Sequence, residues 1–289
     1  MSKNILITGS EGFIGQALKK KIKKEFPEYR IFGFDIQDGD ISTTEPAFDH
    51  IDHVFHLAGK TYIPKSWEEP LEFYKTNVTG TNIILEFCRK RKASLTYISA
   101  YVYGMPEFLP ISEKHSLNPN NPYMHSKILA ESLCRFYARH YNVKITILRP
   151  FNVFGAGQSS LFLIPLLIDQ LLSKDKDILV VKDIRPKRDF IYIEDLLNAI
   201  ILTLREEKRF EIYNVGSGIS ISIKEIIEIL KEITNINKSI KTKGEYRNNE
   251  ILDVRADINK IKNQLGWKPK YSFREGMIKT IELIKKNGM

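Results

Sequence analysis

The chain of 289 residues is 43% hydrophobic and 27% charged, the balance of an ordinary globular protein, and long enough for one large domain or two sharing an interface. Its net charge of +9 comes from 44 Lys+Arg against 35 Asp+Glu, concentrated in KKKIKK (19–24) and RKRK (89–92); both lie toward the ends of expected helices, and no nucleic-acid reader motif accompanies them. The longest apolar run, LFLIPLLI (161–168), is too short to span a membrane.

In chain order, NILIT (4–8) predicts a strand and 13–26 a helix with apolar Phe13, Ile14, Leu18, Ile22 and Phe26. RIFGFD (30–35) and HVFHLAG (53–59) read as strands, 71–92 as a helix, and LTYISA (95–100) as a strand. A helix over 124–141 then leads into KITILRP (144–150). Short apolar strands alternating with helices imply parallel pairing through right-handed crossovers, with helices on both faces. The expected class is therefore α/β, a doubly wound parallel sheet.

From about 159 the rhythm changes. A helix at 161–173, a strand near 178–182, RDFIYIEDLLNAI (188–200), and helices at 222–234 and 274–286 follow. They are expected to form a smaller C-terminal lobe packed at the C-terminal edge of the sheet, where such folds hold ligands. Cys88 and Cys134 each sit in an apolar helical pattern and read as buried free thiols. With no signal-peptide layout before the first strand, the chain is read as cytoplasmic, with no membrane or nucleic-acid partner.

TGSEGFIG (8–15) joins the first strand to the first helix, with Gly9, Gly12 and Gly15 three apart. Glycines there permit a tight turn and let the backbone approach a pyrophosphate at a helix N-terminus. Asp35 ends the second strand 20 residues after Gly15. A carboxylate at that place accepts hydrogen bonds from the adenosine ribose and repels a 2′-phosphate, which favours NAD over NADP. The sheet is thus Rossmann-like, with a dinucleotide-binding domain at 1–158 to which 188–220 returns. The substrate-binding lobe takes 159–187 and 221–289.

Tyr123 and Lys127 lie four residues apart at the start of a helix, and so share a face. Ser99 ends the fourth strand and Asn77 lies in the preceding helix. Strand ends and helix starts meet at one sheet edge, so these groups can converge over a nicotinamide. A lysine ammonium one turn away, with the positive nicotinamide, favours a phenolate at Tyr123. Tyr123 then exchanges a hydroxyl proton while hydride moves, and Ser99 holds the same oxygen.

With HLAG (56–59), NVTGT (77–81), SAYVYG (99–104), YMHSK (123–127), LRPFNVFG (148–155), RDFIYIEDL (188–196), NVGSG (214–218) and LGWKPK (265–270), the chain resembles the NAD-dependent epimerase/dehydratase family. These extended short-chain dehydrogenase/reductases act on nucleotide sugars. The resemblance implies catalytic Ser99, Tyr123 and Lys127. It implies a cofactor site in which Phe13 and Ile14 accompany the glycines, Asp40 and Ile41 flank the adenine, and Leu57, Ala58 and Gly59 line the molecule. Asn77, Tyr123, Lys127 and Pro150 belong to that site as well. The nucleotide-diphosphate sugar falls to Ser99, Asn152, Arg188 and Arg247, with arginine forks matching phosphate oxygens. No metal site is implied. A homodimer through the 71–92 and 124–141 helices is.

Departures from the family pattern narrow the reaction. Ala100 and Tyr101 stand where dehydratases carry an acidic pair, and no cysteine lies near for a C3/C5 epimerisation. Redox at one sugar carbon, C4, remains. Asp35 leans toward an NAD-dependent 4-epimerase working through a 4-keto sugar. The connection of about 17 residues between Asp35 and HVFHLAG leans toward an NAD(P)H-dependent 4-keto-6-deoxysugar reductase. A catalytically inactive dinucleotide-binding regulator is the third reading, against which the retention of Ser99, Tyr123 and Lys127 argues.

Overall fold

The structure, a computed structural model, describes residues 2–175, 177–244 and 250–286. The first half runs β1 (Asn4–Thr8), α1 (Phe13–Glu25), β2 (Arg30–Phe34), β3 (His53–His56), α2 (Ile63–Glu68), α3 (Pro70–Tyr74), a π-helical turn (Lys75–Thr79), α4 (Gly80–Arg91), β4 (Ser94–Ile98), α5 (Pro122–His140) and β5 (Ile145–Pro150). It continues through β6 (Asn152–Phe154), α6 (Leu163–Leu172), β7 (Ile178–Val181), β8 (Lys187–Tyr192), α7 (Ile193–Leu202) and β9 (Phe210–Val215). The remainder is β10 (Ser220–Ser222), α8 (Ile223–Thr234), β11 (Ser239–Thr242), α9 (Asn259–Leu265) and α10 (Phe273–Lys286).

Six strands form the main sheet in the order β2-β1-β3-β4-β5-β9, every pair parallel. Helices cover both faces, which is why β1 reads as an unbroken apolar run. Ile5 and Ile7 face the layer of α1 and α7, with Leu18, Ile22, Leu196 and Leu197. Leu6, between them, faces the layer of α4 and α5, with Ile84, Leu85, Ala130 and Cys134. Cys88 and Cys134 are buried free thiols. This is the doubly wound α/β sheet that the alternation of strands and helices predicts.

Three elements differ from expectation. The helix expected over 71–92 is broken into α3, the π-helical turn and α4, so Asn77 sits in a widened turn of the kind found at functional sites. The stretch 188–200 changes state at Tyr192, from β8 into α7. The sequence alone did not single out β9, yet it pairs with β5 over six residues and completes the main sheet.

A second sheet, ordered β10-β8-β6, and a parallel pair of β7 with β11 make up the smaller part. Phe154, Phe190 and Phe273 bring β6, β8 and α10 together in one aromatic cluster. The tail is anchored at the head of α7. Trp267 donates its indole N–H to the Asp195 carbonyl at 3.0 Å, and the N–H groups of Lys270 and Tyr271 reach the Asp195 carboxylate at 2.8 and 3.1 Å. Among the described residues no helix is long and apolar enough to cross a membrane.

Candidate active site

The turn after β1 has no room for side chains at Gly9 and Gly15. Gly9 has φ +69°, and a Cβ there would stand 2.7 Å from the Ala58 nitrogen; one on Gly15 would stand 2.0 Å from the Gly9 oxygen. Helix α1 therefore starts hard against the strand ends. Its N-cap, Gly12, supplies no side-chain cap, and the first turn holds no acidic residue. The N–H groups and positive dipole end that open α1 are left for an anion.

Asp35, just past β2, accepts from the Glu11 N–H at 2.7 Å and from the Ile36 N–H at 2.8 Å. One bond to each oxygen leaves the carboxylate with accepting capacity beside the glycine turn. Leu57 and Ala58 join the same corner: their N–H groups reach the Thr8 carbonyl at 3.1 Å and the Thr8 hydroxyl at 3.3 Å. Phe13 and Ile14 are partly buried at the start of α1, and Pro150, buried, ends β5 opposite Val215. Asp40 is exposed and accepts from the Ser42 N–H and hydroxyl, whereas Ile41 is buried under Gly80.

Around β4 and α5 the remaining groups converge. Asn121 caps α5 by accepting from the Met124 N–H at 2.9 Å, and Pro122 opens the helix, so Tyr123 falls in its first turn. Lys127, one turn later, is 5% exposed. Its ammonium donates to the Ile98 carbonyl at 2.7 Å and lies 4.5 Å from the centre of the Tyr97 ring. Ser99 is fixed through its N–H to Leu148 at 2.8 Å, but its hydroxyl, buried, has no hydrogen-bond partner among the described residues. Asn77 accepts from the Lys60 N–H at 2.9 Å and donates to the Lys60 carbonyl at 3.1 Å.

Two residues that sequence reasoning missed tie these parts together. Ser126 receives an N–H from Asn77 at 2.9 Å and donates to the Tyr123 carbonyl at 2.7 Å, coupling the π-helical turn to the head of α5. His56 bridges Thr8 at 2.6 Å and Thr81 at 3.1 Å, linking the glycine turn to α4. The signal for Ser126 was local: a hydroxyl three residues after Tyr123 on a helix can bond back to that residue's carbonyl.

Burial pushes the Lys127 ammonium down to about 8, against the pull of the Glu131 carboxylate, and burial pushes the Tyr123 phenol above its usual value. Burial therefore leaves the Tyr123 phenol neutral in the unliganded cleft, with the Lys127 ammonium seated on the Ile98 carbonyl. A further positive charge in the cleft is needed to bring the phenol down.

Of the groups assigned to the substrate, Asn152 and Arg188 lie on the second sheet. The Asn152 amide donates to the Asp189 carbonyl at 3.0 Å. Arg188 donates to the Ile251 carbonyl at 2.6 Å and pairs with Glu250, so the segment at 250–251 is drawn onto it. Asp189, completely buried, accepts from the N–H groups of Ser217, Gly218 and Ala256 at 2.6, 2.9 and 3.0 Å, and fixes the loop after β9. Arg247 lies outside the described residues.

A glycine-hinged turn, an uncapped helix start, a carboxylate at the end of β2 and an orphaned hydroxyl at the end of β4 together fit a pyrophosphate-containing dinucleotide, with a second ligand carrying a hydroxyl at Ser99. Among the described residues no group of three or more His, Cys, Asp or Glu could hold a metal ion.

Comparison with known proteins points the same way. The model of the NAD dependent epimerase/dehydratase family matches residues 5–216. A UDP-glucose 4-epimerase of Lactobacillus helveticus is 29% identical over 96% of this chain and 95% of its own length. A GDP-6-deoxy-D-mannose reductase of Pseudomonas aeruginosa is 30% identical over 96% and 95%. The crystal structure of UDP-glucose 4-epimerase from Thermotoga maritima with UDP-glucose superposes with a TM-score of 0.90, at 27% identity, covering 98% of this chain and 99% of that one.

Proposed function

Because the chain belongs to the NAD dependent epimerase/dehydratase family, we propose that it is a nucleotide-sugar 4-epimerase that binds NAD and works through a transient 4-keto sugar. The observation that carries this reading is the Ser99 hydroxyl, 4% exposed and without a partner among the described residues, at the end of β4 next to the Ile98 carbonyl on which Lys127 sits. Buried hydroxyls are rarely left so, and a sugar hydroxyl would satisfy it.

When bound, NAD would supply a hydride acceptor and, while oxidised, a further positive charge in the cleft. The glycine turn and the head of α1 receive its pyrophosphate, and Asp35 accepts from the adenosine ribose and repels a 2′-phosphate. Phe13, Ile14, Asp40, Ile41, Leu57, Ala58, Gly59, Asn77 and Pro150 complete the proposed cofactor site. Tyr123 takes the proton of the sugar hydroxyl and returns it to the keto oxygen once the sugar has turned over and its carbon takes hydride back on the opposite face. Ser99 holds that oxygen in line, and Lys127 keeps a cation within one turn of the phenol. Asn152, Arg188 and Arg247 are proposed to hold the nucleotide diphosphate; Arg188 does so by exchanging its Glu250 pairing for phosphate oxygens.

A second reading, a 4-keto sugar reductase, is favoured by one feature of the fold. Residues 35–52, between β2 and β3, contain turns but neither strand nor helix, leaving β2 as the sheet's edge. A panel of UDP-, dTDP-, GDP- and CDP-sugars separates the readings. Inversion without added cofactor identifies the epimerase, consumption of NADH with a 4-keto sugar identifies the reductase, and no turnover of either kind leaves a dinucleotide-binding regulator. A homodimer through α4 and α5 goes with this proposal, supported by the exposed Leu129 and Phe136 on α5 and Tyr141 just after it. Sedimentation at twice the monomer mass is the expected result.

A further inference from the structure

Glu131 stands four residues beyond Lys127 on α5, on the same buried face, at 4% exposure. A carboxylate there is costly unless it is paired. Its partner is Arg149 of β5, itself 2% exposed, which grips both oxygens: Nε donates to Oε1 at 2.9 Å and Nη2 to Oε2 at 2.5 Å. The third arm of the guanidinium, Nη1, donates to the Tyr103 hydroxyl at 2.9 Å. Tyr103 donates to Asn214 of β9 at 2.5 Å, and Asn214 donates to the Ile111 carbonyl at 2.9 Å. One buried chain of polar contacts thus joins the Lys127 face of α5, the end of β5 and the long loop that follows Ser99.

The surroundings of Lys127 give the carboxylate a part beyond bracing. On α5 itself, the Cys134 thiol and the Tyr123 phenol are pushed up by burial and stay neutral. On β4 the Tyr97 phenol beneath the ammonium is pushed up likewise, and on β3 His56 is pushed down to about 3 and carries no charge. Asn77 in the π-helical turn is neutral by nature. Arg149, on β5, pairs with Glu131 and is a cation. Among the described groups around Lys127, Glu131 is the anion.

We propose that Glu131 is a positioning residue for the redox reaction: held in place by Arg149, its carboxylate is the counter-charge that keeps the Lys127 ammonium charged and seated on the Ile98 carbonyl. This rests on the reading of Tyr123 and Lys127 given above. Arg149 in turn makes the seat part of the same rigid body as the loop after Ser99, so the hydroxyl and the ammonium keep a fixed separation.

The test is built on the double substitution Glu131→Leu with Arg149→Met, which leaves no buried charge unpaired; replacements of this kind are tolerated by many folds. Lysine labelled with carbon-13 at Cε is titrated by NMR in the full chain, without cofactor or sugar, and the Lys127 signal is identified by its loss in Lys127→Arg. The expected result is a folded double variant whose Lys127 midpoint lies about one pH unit below that of the unsubstituted chain. Glu131→Gln, if folded, moves it further, since the unpaired guanidinium then repels the ammonium. An unchanged midpoint, or a double variant that does not fold, makes the pair a structural brace and overturns the assignment. Turnover on the sugar panel is read separately, so an inactive but correctly titrating protein counts against the proposed reaction and not against the role of Glu131.

Discussion

Lys127 donates its ammonium to the Ile98 carbonyl at 2.7 Å, and no hydrogen bond joins it to Tyr123, although the two side chains leave α5 one turn apart. The cation is thereby fixed to the end of β4, beside Ser99, as a charge anchored to the sheet. In the proposed reaction Tyr123 would draw the rest of its activation from a bound ligand.

Tyr123→Phe tests that division of labour. Phenylalanine keeps the edge-on packing against Phe73, whose ring centre lies 6.3 Å away, so the fold should hold. The account expects turnover to fall by about 10²–10⁴-fold, with NADH affinity, followed by fluorescence titration, nearly unchanged. Equal losses of both in a folded variant would make the residue structural.

Ser99→Ala separates a waiting ligand group from a fold determinant. The hydroxyl is buried and makes no hydrogen bond among the described residues, so its removal relieves a desolvation cost and breaks nothing. Stability measured by urea unfolding should stay level or rise by up to about 1 kcal/mol, while turnover drops by about 10²-fold. A large loss of stability would show that the hydroxyl is satisfied within the fold.

Asp35→Ala should relax the preference for NADH over NADPH, because the variant neither accepts from a ribose hydroxyl nor repels a phosphate. The ratio of the two dissociation constants reports it. The Glu11 N–H, which Asp35 accepts at 2.7 Å, is exposed enough to find water, so unfolding should not confuse the result. An unchanged ratio would remove the reason for assigning NAD.

Acid stability carries a signature of His53. Its ring is buried between Ser94 at 2.7 Å and Thr96 at 2.9 Å, and burial pushes it down to about 3. The unfolded chain takes up that proton near 6.5, so below this pH the unfolded state binds more protons than the folded one. Stability should therefore fall as the pH drops from about 6.5 toward 3, at up to about 1.4 kcal/mol per pH unit for this residue. His53→Gln should show a shallower fall than the unsubstituted chain in urea unfolding at pH 7, 6 and 5, with His56 supplying what remains. Equal slopes would mean that His53 takes its proton in the folded state.

What the sequence made legible is local. The glycine turn, the start of α1 and Asp35 all lie within about one crossover of each other, and the chemistry of a glycine with positive φ is written in the residue itself. The break in the 71–92 helix was hidden, because its apolar spacing continues across the π-helical turn while the bonds of Asn77 to Lys60 and Ser126 join separate elements. Strand β9 was hidden for a similar reason: FEIYNV could pair anywhere, and only its register with β5, some 65 residues earlier, gives it a place. The pairing of Arg188 with Glu250 spans 62 residues and leaves no trace in spacing. The state of Tyr123 depends on burial, which a motif does not encode.

The most direct measurement of the central claim uses the nucleotide sugar that turns over in the panel, carrying deuterium at C4, incubated with the purified protein and NAD, with the product analysed by mass spectrometry and proton NMR. The account predicts an inverted sugar that retains the deuterium at C4, and no such product from Tyr123→Phe. Inverted product that has lost its label to water, or inversion undiminished in Tyr123→Phe, would contradict it.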